Sequence, residues 1–272
     1  MTRTHGFVDV DGQERPEDWV RVLDRIDAEP FYRAYKARVR ELLRPAAPGR
    51  YLDVGAGSGS FALALAEQHG VEVVALDRAA TMAKAARSRG LVTSAVADAA
   101  ALPFAGGTFA GTVADRVLQH LADPTAAMAE MVRVTAAGGR VVLADPDYDT
   151  QVLDIEDQNL ARAVLRFRAD HLLRNGTLAH RHAGLLTSHG LTGVAVEAHP
   201  LVVRDPTTVD NVMGLRTWAA TAAERGHLDS GRVAEFEEAV DRSIAERRFL
   251  YAVTFFVTSG SLPADRPTPA GD

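Results

Sequence analysis

The sequence predicts an α/β fold, doubly wound around a mostly parallel sheet, and three observations carry that expectation. Short Val- and Leu-rich runs alternate with longer Ala-rich stretches, the pattern of βαβ units. The apolar runs lack strict in-out alternation, as strands covered on both faces do. A glycine-rich turn, Gly55-Ala56-Gly57-Ser58-Gly59, stands directly between the first clear strand and the helix after it. No repeat at the spacing of roughly 20–50 residues typical of solenoids is present.

Taken in order, a polar lead-in precedes two helices over residues 17–29 and 30–43. Pro30 suits a helix start, and Pro45 with Pro48 ends the second helix. The first strand covers 50–54, followed by a helix over 60–69, a strand over 71–76, a helix over 79–89 and a third strand over 91–96. Residues 109–114 and 139–144 supply two more strands around a helix at 124–135. Beyond them, 154–174 and 177–189 read as helices, with Asn175-Gly176 as the break. Residues 192–203 read as a strand, 206–225 and 231–248 as helices, and 249–258 as a last β-branched and aromatic strand. The expected organisation is an N-terminal helical segment (1–47), a ligand-binding core (48–150) and a remainder of the same domain with helical lid insertions and the last two strands (151–260). A disordered Pro- and Asp-containing tail (261–272) completes it.

Composition narrows the function classes. Hydrophobic residues make up 47% and charged residues 24%, so a sizeable core is available and wholesale disorder is excluded. Thirty Lys and Arg stand against 36 Asp and Glu, and a net charge of −6 argues against a broad basic surface for nucleic acid. With no cysteine, disulfides, thiolate metal sites and Cys nucleophiles are all excluded. The first residues lack a hydrophobic signal core, and no apolar run approaches the roughly 18 residues of a membrane span, so a cytoplasmic protein without membrane contact is expected.

Chemistry concentrates after the strands. In Asp53-Val54-Gly55-Ala56-Gly57-Ser58-Gly59 the glycines let the backbone turn sharply and approach a ligand, and the helix beyond points free N–H groups into the same space. A dinucleotide fingerprint needs its third glycine where Ser60 stands, and no Gly-x-x-x-x-Gly-Lys phosphate loop is present. Asp77, about 20 residues beyond the turn at a strand end, is placed to accept both hydroxyls of an adenosine ribose. Asp98 and the Ala99 N–H are placed for an adenine, after the third strand.

These residues resemble the class I S-adenosylmethionine (SAM)-dependent methyltransferases. The resemblance runs in order through Leu52–Gly59, Asp98-Ala99, Leu102-Pro103-Phe104 and Phe109, then Val117–Pro124, Glu130, Arg133-Val134 and Gly138-Gly139-Arg140. The stretch Val117–Pro124 is similar to quinone- and polyketide-modifying members, and Ala56 stands where many relatives have Cys. The family implies a Rossmann-like sheet of seven strands and SAM as cofactor. It places Asp53, Gly55, Gly57 and Gly59 on the methionine moiety, Asp77 at the ribose, and Asp98 with Ala99 at the adenine, with Arg78 as a further cofactor-binding residue. Asp115 and Arg116 would approach the methionine ammonium. Lys36 is a candidate for the cofactor carboxylate, set against a solvated helix lysine.

Because a sulfonium already activates its methyl group, orientation and exclusion of water are the expected protein contributions, and a general base is optional. His120, after the fourth strand, is the candidate base, set against a structural role at a helix start. Asp145, Asp147 and Tyr148 could orient a substrate hydroxyl or simply turn the chain around Pro146. Arg166, Arg168, Asp170 and His171 read as a solvated face, although Arg168 and His171, three apart, could share a face turned toward substrate. His180, His182 and His189 lack accompanying acids at metal-ligand spacing, and no metal is expected. The sequence thus points to methyl transfer onto a small, fairly apolar biosynthetic acceptor such as a polyketide, quinone or indole-like compound. A non-methylating cyclisation in the same SAM pocket, a noncatalytic SAM-binding role, and a homo-oligomer all stay open.

Overall fold

The computed structural model describes residues 7–90, 93–205 and 214–266. Two N-terminal helices, α1 (Pro16–Ala28) and α2 (Pro30–Leu43), each begin on a proline whose missing N–H costs nothing in a first turn. The alternating part follows: β1 (Arg50–Val54), α3 (Ser60–His69), β2 (Glu72–Asp77), α4 (Ala80–Ser88), β3 (Ser94–Val96) and β4 (Phe109–Asp115). Then come α5 (Pro124–Val134), β5 (Thr135–Leu153), α6 (Gln158–Phe167), α7 (His182–Ser188), β6 (Thr192–Val203), α8 (Leu215–Glu224), α9 (Gly231–Ala245) and β7 (Tyr251–Ser261).

The seven strands form one sheet in the order β3-β2-β1-β4-β5-β7-β6. Strands β1 to β5 run parallel, and β7 enters antiparallel between β5 and β6. Order reverses beside β1, which places a crevice at the carboxyl ends of β1 and β4, where open α/β sheets take ligands. Alternate strand residues bury opposite faces. Tyr51, Val73, Val113 and Val142 pack with Tyr35 and Val39 of α2 and Leu65 of α3, together with α6, α8 and α9. Leu52, Val74, Ala114 and Val141 pack with Met128 and Met131 of α5 and Leu186 of α7.

Most of the expected alternation is present, and the differences have local causes. The helix expected over 154–174 starts only at Gln158, capped by Asp157, and at Arg168 it widens into a π turn, Arg168–Leu172. Asn175 does break the chain there, its Nδ2 donating to the carbonyls of Leu118 and Leu121 at 2.9 and 2.8 Å. The helix expected over 177–189 is a 3-10 turn, Ala179–Arg181, followed by the short α7. Strand β5 is far longer than 139–144, because beyond Ala144 its β4 edge has no partner while β7 continues to pair with it. That one-sided pairing also accommodates Pro146, which faces Phe255. The tail expected to be disordered from Ser261 is ordered as far as Arg266: Ser261 ends β7, the Leu262 N–H donates to Gly139 at 2.9 Å, and Pro263 accepts from the Gly138 N–H. Residues 91, 92 and 206–213 of the expected third strand and eighth helix lie outside the described residues.

Candidate functional site

Register sets the site. Asp53 on β1 lies opposite Ala75 of β2 and Val113 of β4, and Asp115 opposite Ala144 of β5, so the ends of four strands form one edge. The turn after β1 holds Gly55, Gly57 and Gly59 at φ of 69°, 54° and 79°, a region that side chains avoid. A Cβ on Gly55 would stand 2.5 Å from Val117 Cγ2, and one on Gly57 would stand 2.7 Å from Leu23 Cδ1 of α1. Asp77 clamps this turn, its Oδ2 accepting from the Gly57 N–H and its Oδ1 from the Ala79 N–H, both at 2.8 Å. Asp98 is exposed and accepts the Ala100 N–H at 2.8 Å, beside a buried Ala99. Arg78 is exposed and donates to the Val8 carbonyl, tying the N-terminal residues across this end of the site.

Beneath α1 and α2 the edge becomes ionic. Lys36, expected on a solvated face or at a cofactor carboxylate, is buried, with Nζ 2.6 Å from Asp27 and 3.8 Å from Asp115. Its solvated alternative is therefore corrected: α2 packs flat on the sheet and turns Lys36 inward. Arg116 adopts a left-handed backbone, φ 58°, which brings its guanidinium within 3.6 Å of Asp27 and 3.7 Å of Asp115 and over the Tyr32 ring at 4.9 Å. The Tyr35 hydroxyl donates to Asp115 Oδ1 at 2.8 Å. Burial alone would raise the Asp27 carboxyl, but Lys36 and Arg116 outweigh it and hold it below the ordinary range. Asp53 is the opposite case: it is 2% exposed, its Oδ2 has no hydrogen-bond partner, and burial pushes its carboxyl well up despite nearby Lys36. Burial raises Asp77 as well, against its two backbone N–H donors.

A cavity of about 1220 Å³ runs along the edge from Phe7 and Asp98 at one end to Arg168 and Phe255 at the other. That exceeds the common range of single-ligand pockets, roughly 300–1,000 Å³, and gives room for two. His120 lines the cavity from a 3-10 turn, Leu118–His120, with its ring 6.2 Å from that of Phe7. At the far end Tyr32, Tyr148, Leu173 and Phe255 form apolar walls around Arg168.

The expected solvated face at 166–171 holds for Arg166, which pairs with Asp149 and Asp170 at its exposed side chain, and fails for Arg168. Arg168 is 6% exposed, whereas His171 is exposed, because the π turn breaks the three-residue spacing that would have aligned them. Sequence reasoning also missed the acids that accompany the histidines. Strand β5 brings Asp147 to within 2.5 Å of His180 Nδ1, and Asp145 to within 3.5 Å of the wholly buried His182. Burial lowers His182 to about 4 and raises Asp145 well above its usual range. Asp147, Asp149 and His180 converge within 4.8 Å, but Asp147 already accepts the N–H groups of Asp149 and His180, so the cluster closes as a hydrogen-bonded turn. Tyr32 and Tyr35 were missed as well; the only signal was their i, i+3 spacing around an inward-turned Lys36.

Among the described residues no helix is long and apolar enough to cross a membrane. The family described as a methyltransferase domain matches residues 52–143. An uncharacterised 37.1 kDa protein in transposon TN4556 from Streptomyces fradiae is 34% identical over 218 residues, covering 78% of this chain and 63% of that protein. The demethylmenaquinone methyltransferase of Renibacterium salmoninarum is 40% identical over 107 residues, covering 39% and 45% respectively. The chain thus spans between about half and two thirds of these relatives' lengths. The phosphoethanolamine N-methyltransferase 2 of Haemonchus contortus, solved with SAM, superposes with a TM-score of 0.60 at 16% identity, covering 97% of this chain and 60% of that one. With the strand order, the glycine turn and the acids at the end of β2 and after β3 in agreement, residues 52–143 form a methyltransferase domain of the class I SAM-dependent kind.

Proposed function

We propose that this protein binds SAM along the carboxyl edge of the sheet and transfers its methyl group to a small, fairly apolar acceptor at the Arg168 end of the cavity. The observation that carries the reading is Asp53: a buried carboxyl with an orphaned oxygen, beside three left-handed glycines that leave no Cβ in the way. Such a carboxylate is costly unless a cation or donor meets it, and a ligand ammonium answers that need. Asp77 and Asp98 stand at the ends of β2 and after β3 for the ribose and adenine, Arg78 beside them, and the Ala99 backbone closes the adenine position. Asp115 with Arg116 borders the ammonium, and Lys36 is the cation nearest for a carboxylate.

Bound SAM would supply an activated methyl group. The chain's own residues orient the acceptor and exclude water, which can be worth ~7–11 kcal/mol. Tyr32, Tyr148 and Phe255 provide a dry apolar wall for the acceptor. His120 is positioned on the cavity wall to take a proton from an acceptor hydroxyl or carbon acid.

Calorimetry tests the cofactor half. SAM and S-adenosylhomocysteine should each bind with micromolar affinity, about −8 kcal/mol, and NADH should not. Tight NADH binding with no response to either would overturn the reading. An acceptor screen with labelled SAM tests the transfer half: stoichiometric S-adenosylhomocysteine with a labelled product supports it, whereas acceptor turnover without label leaves cyclisation as the activity.

A further inference from the structure

We propose that Arg168 forms the acceptor's anchor, a subsite selective for an apolar or aromatic molecule that carries a carboxylate. The proposal deepens the methyl-transfer reading and rests on it. Arg168 lines the end of the cavity farthest from the adenine position and is buried to 6% exposure. A buried guanidinium ordinarily sits against a carboxylate, because desolvation is expensive for an isolated charge. Among the described residues every hydrogen-bond partner is neutral. Its two short hydrogen bonds both leave from Nη1, to Gln151 Oε1 at 2.7 Å and to the Tyr251 hydroxyl at 2.8 Å. Its plane is held between the rings of Tyr148, 4.2 Å away, and Trp218, 4.0 Å away. Nε is buried and has no hydrogen-bond partner among the described residues.

Among the described residues, nearby groups do not supply the missing charge. Burial raises the Tyr148 and Tyr251 phenols, which stay neutral at ordinary pH. Asp145 lies on β5 an odd number of residues from Tyr148, so its side chain leaves the opposite face of the sheet, and burial pushes its carboxyl up. Asp27 and Asp115, toward the other end, are matched by Lys36 and Arg116.

Two further features favour a ligand over a purely structural role. Arg168 continues the buried face of α6, three residues after Leu165 and four after Val164, and a π turn begins at it; such turns concentrate at functional sites. The aromatic clamp also fixes the guanidinium fork in advance, so little rotamer freedom is lost when a planar carboxylate meets it.

The test compares 3-hydroxy-2-naphthoate with 2-naphthol, two probes that differ by the carboxylate, titrated into wild-type protein saturated with S-adenosylhomocysteine. The naphthoate should bind at least about tenfold more tightly. Arg168→Gln should bring the two probes to within about twofold of each other, and Arg168→Lys should keep part of the preference. Affinity for S-adenosylhomocysteine alone should stay within about twofold in both variants, since Arg168 lies at the other end. Equal binding of the two probes to wild type, or no binding of either at millimolar concentration, overturns the anchor, whether or not the variants fold. Failure of wild type to bind S-adenosylhomocysteine would instead overturn the cofactor reading beneath it.

Discussion

Asp77 combines two jobs that sequence position alone does not separate. Its place after β2 suits a ribose, yet both carboxylate oxygens already hold backbone N–H groups of the glycine turn and of the start of α4. Removing it therefore disturbs the empty protein as well as the complex. Asp77→Ala should weaken SAM binding by roughly 1.5–3 kcal/mol and also lower unfolding free energy in urea by about 1–3 kcal/mol, since two donors lose their acceptor. Loss of affinity at unchanged stability would make the backbone clamp unimportant. His120 sits on the cavity wall with its ring beside that of Phe7. If it removes the acceptor's proton, His120→Ala should lower kcat by about 10²–10⁴-fold with SAM affinity nearly unchanged. Retention of more than about a third of kcat would leave orientation as the sole contribution and return His120 to a packing role.

Among the elements, α7 shows what the sequence could and could not disclose. Periodicity located a helical region after Asn175, but nothing local announces that β5 would place Asp145 and Asp147 under it, because those acids lie more than thirty residues earlier. The same limit hid the inward turn of Lys36, which depends on how α2 packs on the sheet; the π turn shifts the phase after Arg168 and exposes His171, while Arg168 itself follows buried Val164 and Leu165. Where a signal depends only on neighbours in the chain, as with the glycine turn and Pro30 at the start of α2, it was legible. The long-range pairing of α7 to β5 has a pH consequence. His182 faces Asp145, with Asp147 and His180 nearby, and its folded pKa of about 4 lies below the unfolded value of 6.5. Between those two values the unfolded chain binds more protons, so this histidine's contribution to stability is present above pH 6.5 and is lost as pH falls toward 4. Asp145 is raised by burial and acts in the opposite direction, but it does so in wild type and variant alike. Urea unfolding of wild type and His182→Asn should therefore show their stability difference shifting in the variant's favour by on the order of 3 kcal/mol from neutral pH to about 4. A constant difference across that range would mean His182 is not held neutral.

Taken whole, the molecule divides its cavity between two walls built from distant parts of the chain. The first is N-terminal: Leu23 of α1 covers Gly57, Asp24 accepts from the Ser58 hydroxyl at 3.3 Å, Asp27 receives the Ser60 hydroxyl, and Lys36 of α2 ties Asp27 toward Asp115. The second is assembled late in the chain, from the π turn after α6, from Thr217 of α8 and from Phe255 of β7. A ligand lying on the glycine turn touches the first wall and not the second. S-adenosylhomocysteine alone should therefore slow amide exchange in residues 16–43 and 55–60, by on the order of a hundredfold at a ligand concentration 100 times Kd, when exchange proceeds through the ligand-free state. Residues 168–172 and 215–224 should change little until an acceptor joins the complex. Both arms carry weight. Protection confined to the sheet edge, with 16–43 unchanged, would mean that α1 and α2 are a fixed appendage and not part of the cofactor wall. Strong protection of 168–172 by S-adenosylhomocysteine alone would mean that the two ends behave as one site, and the separate acceptor end would have to be abandoned.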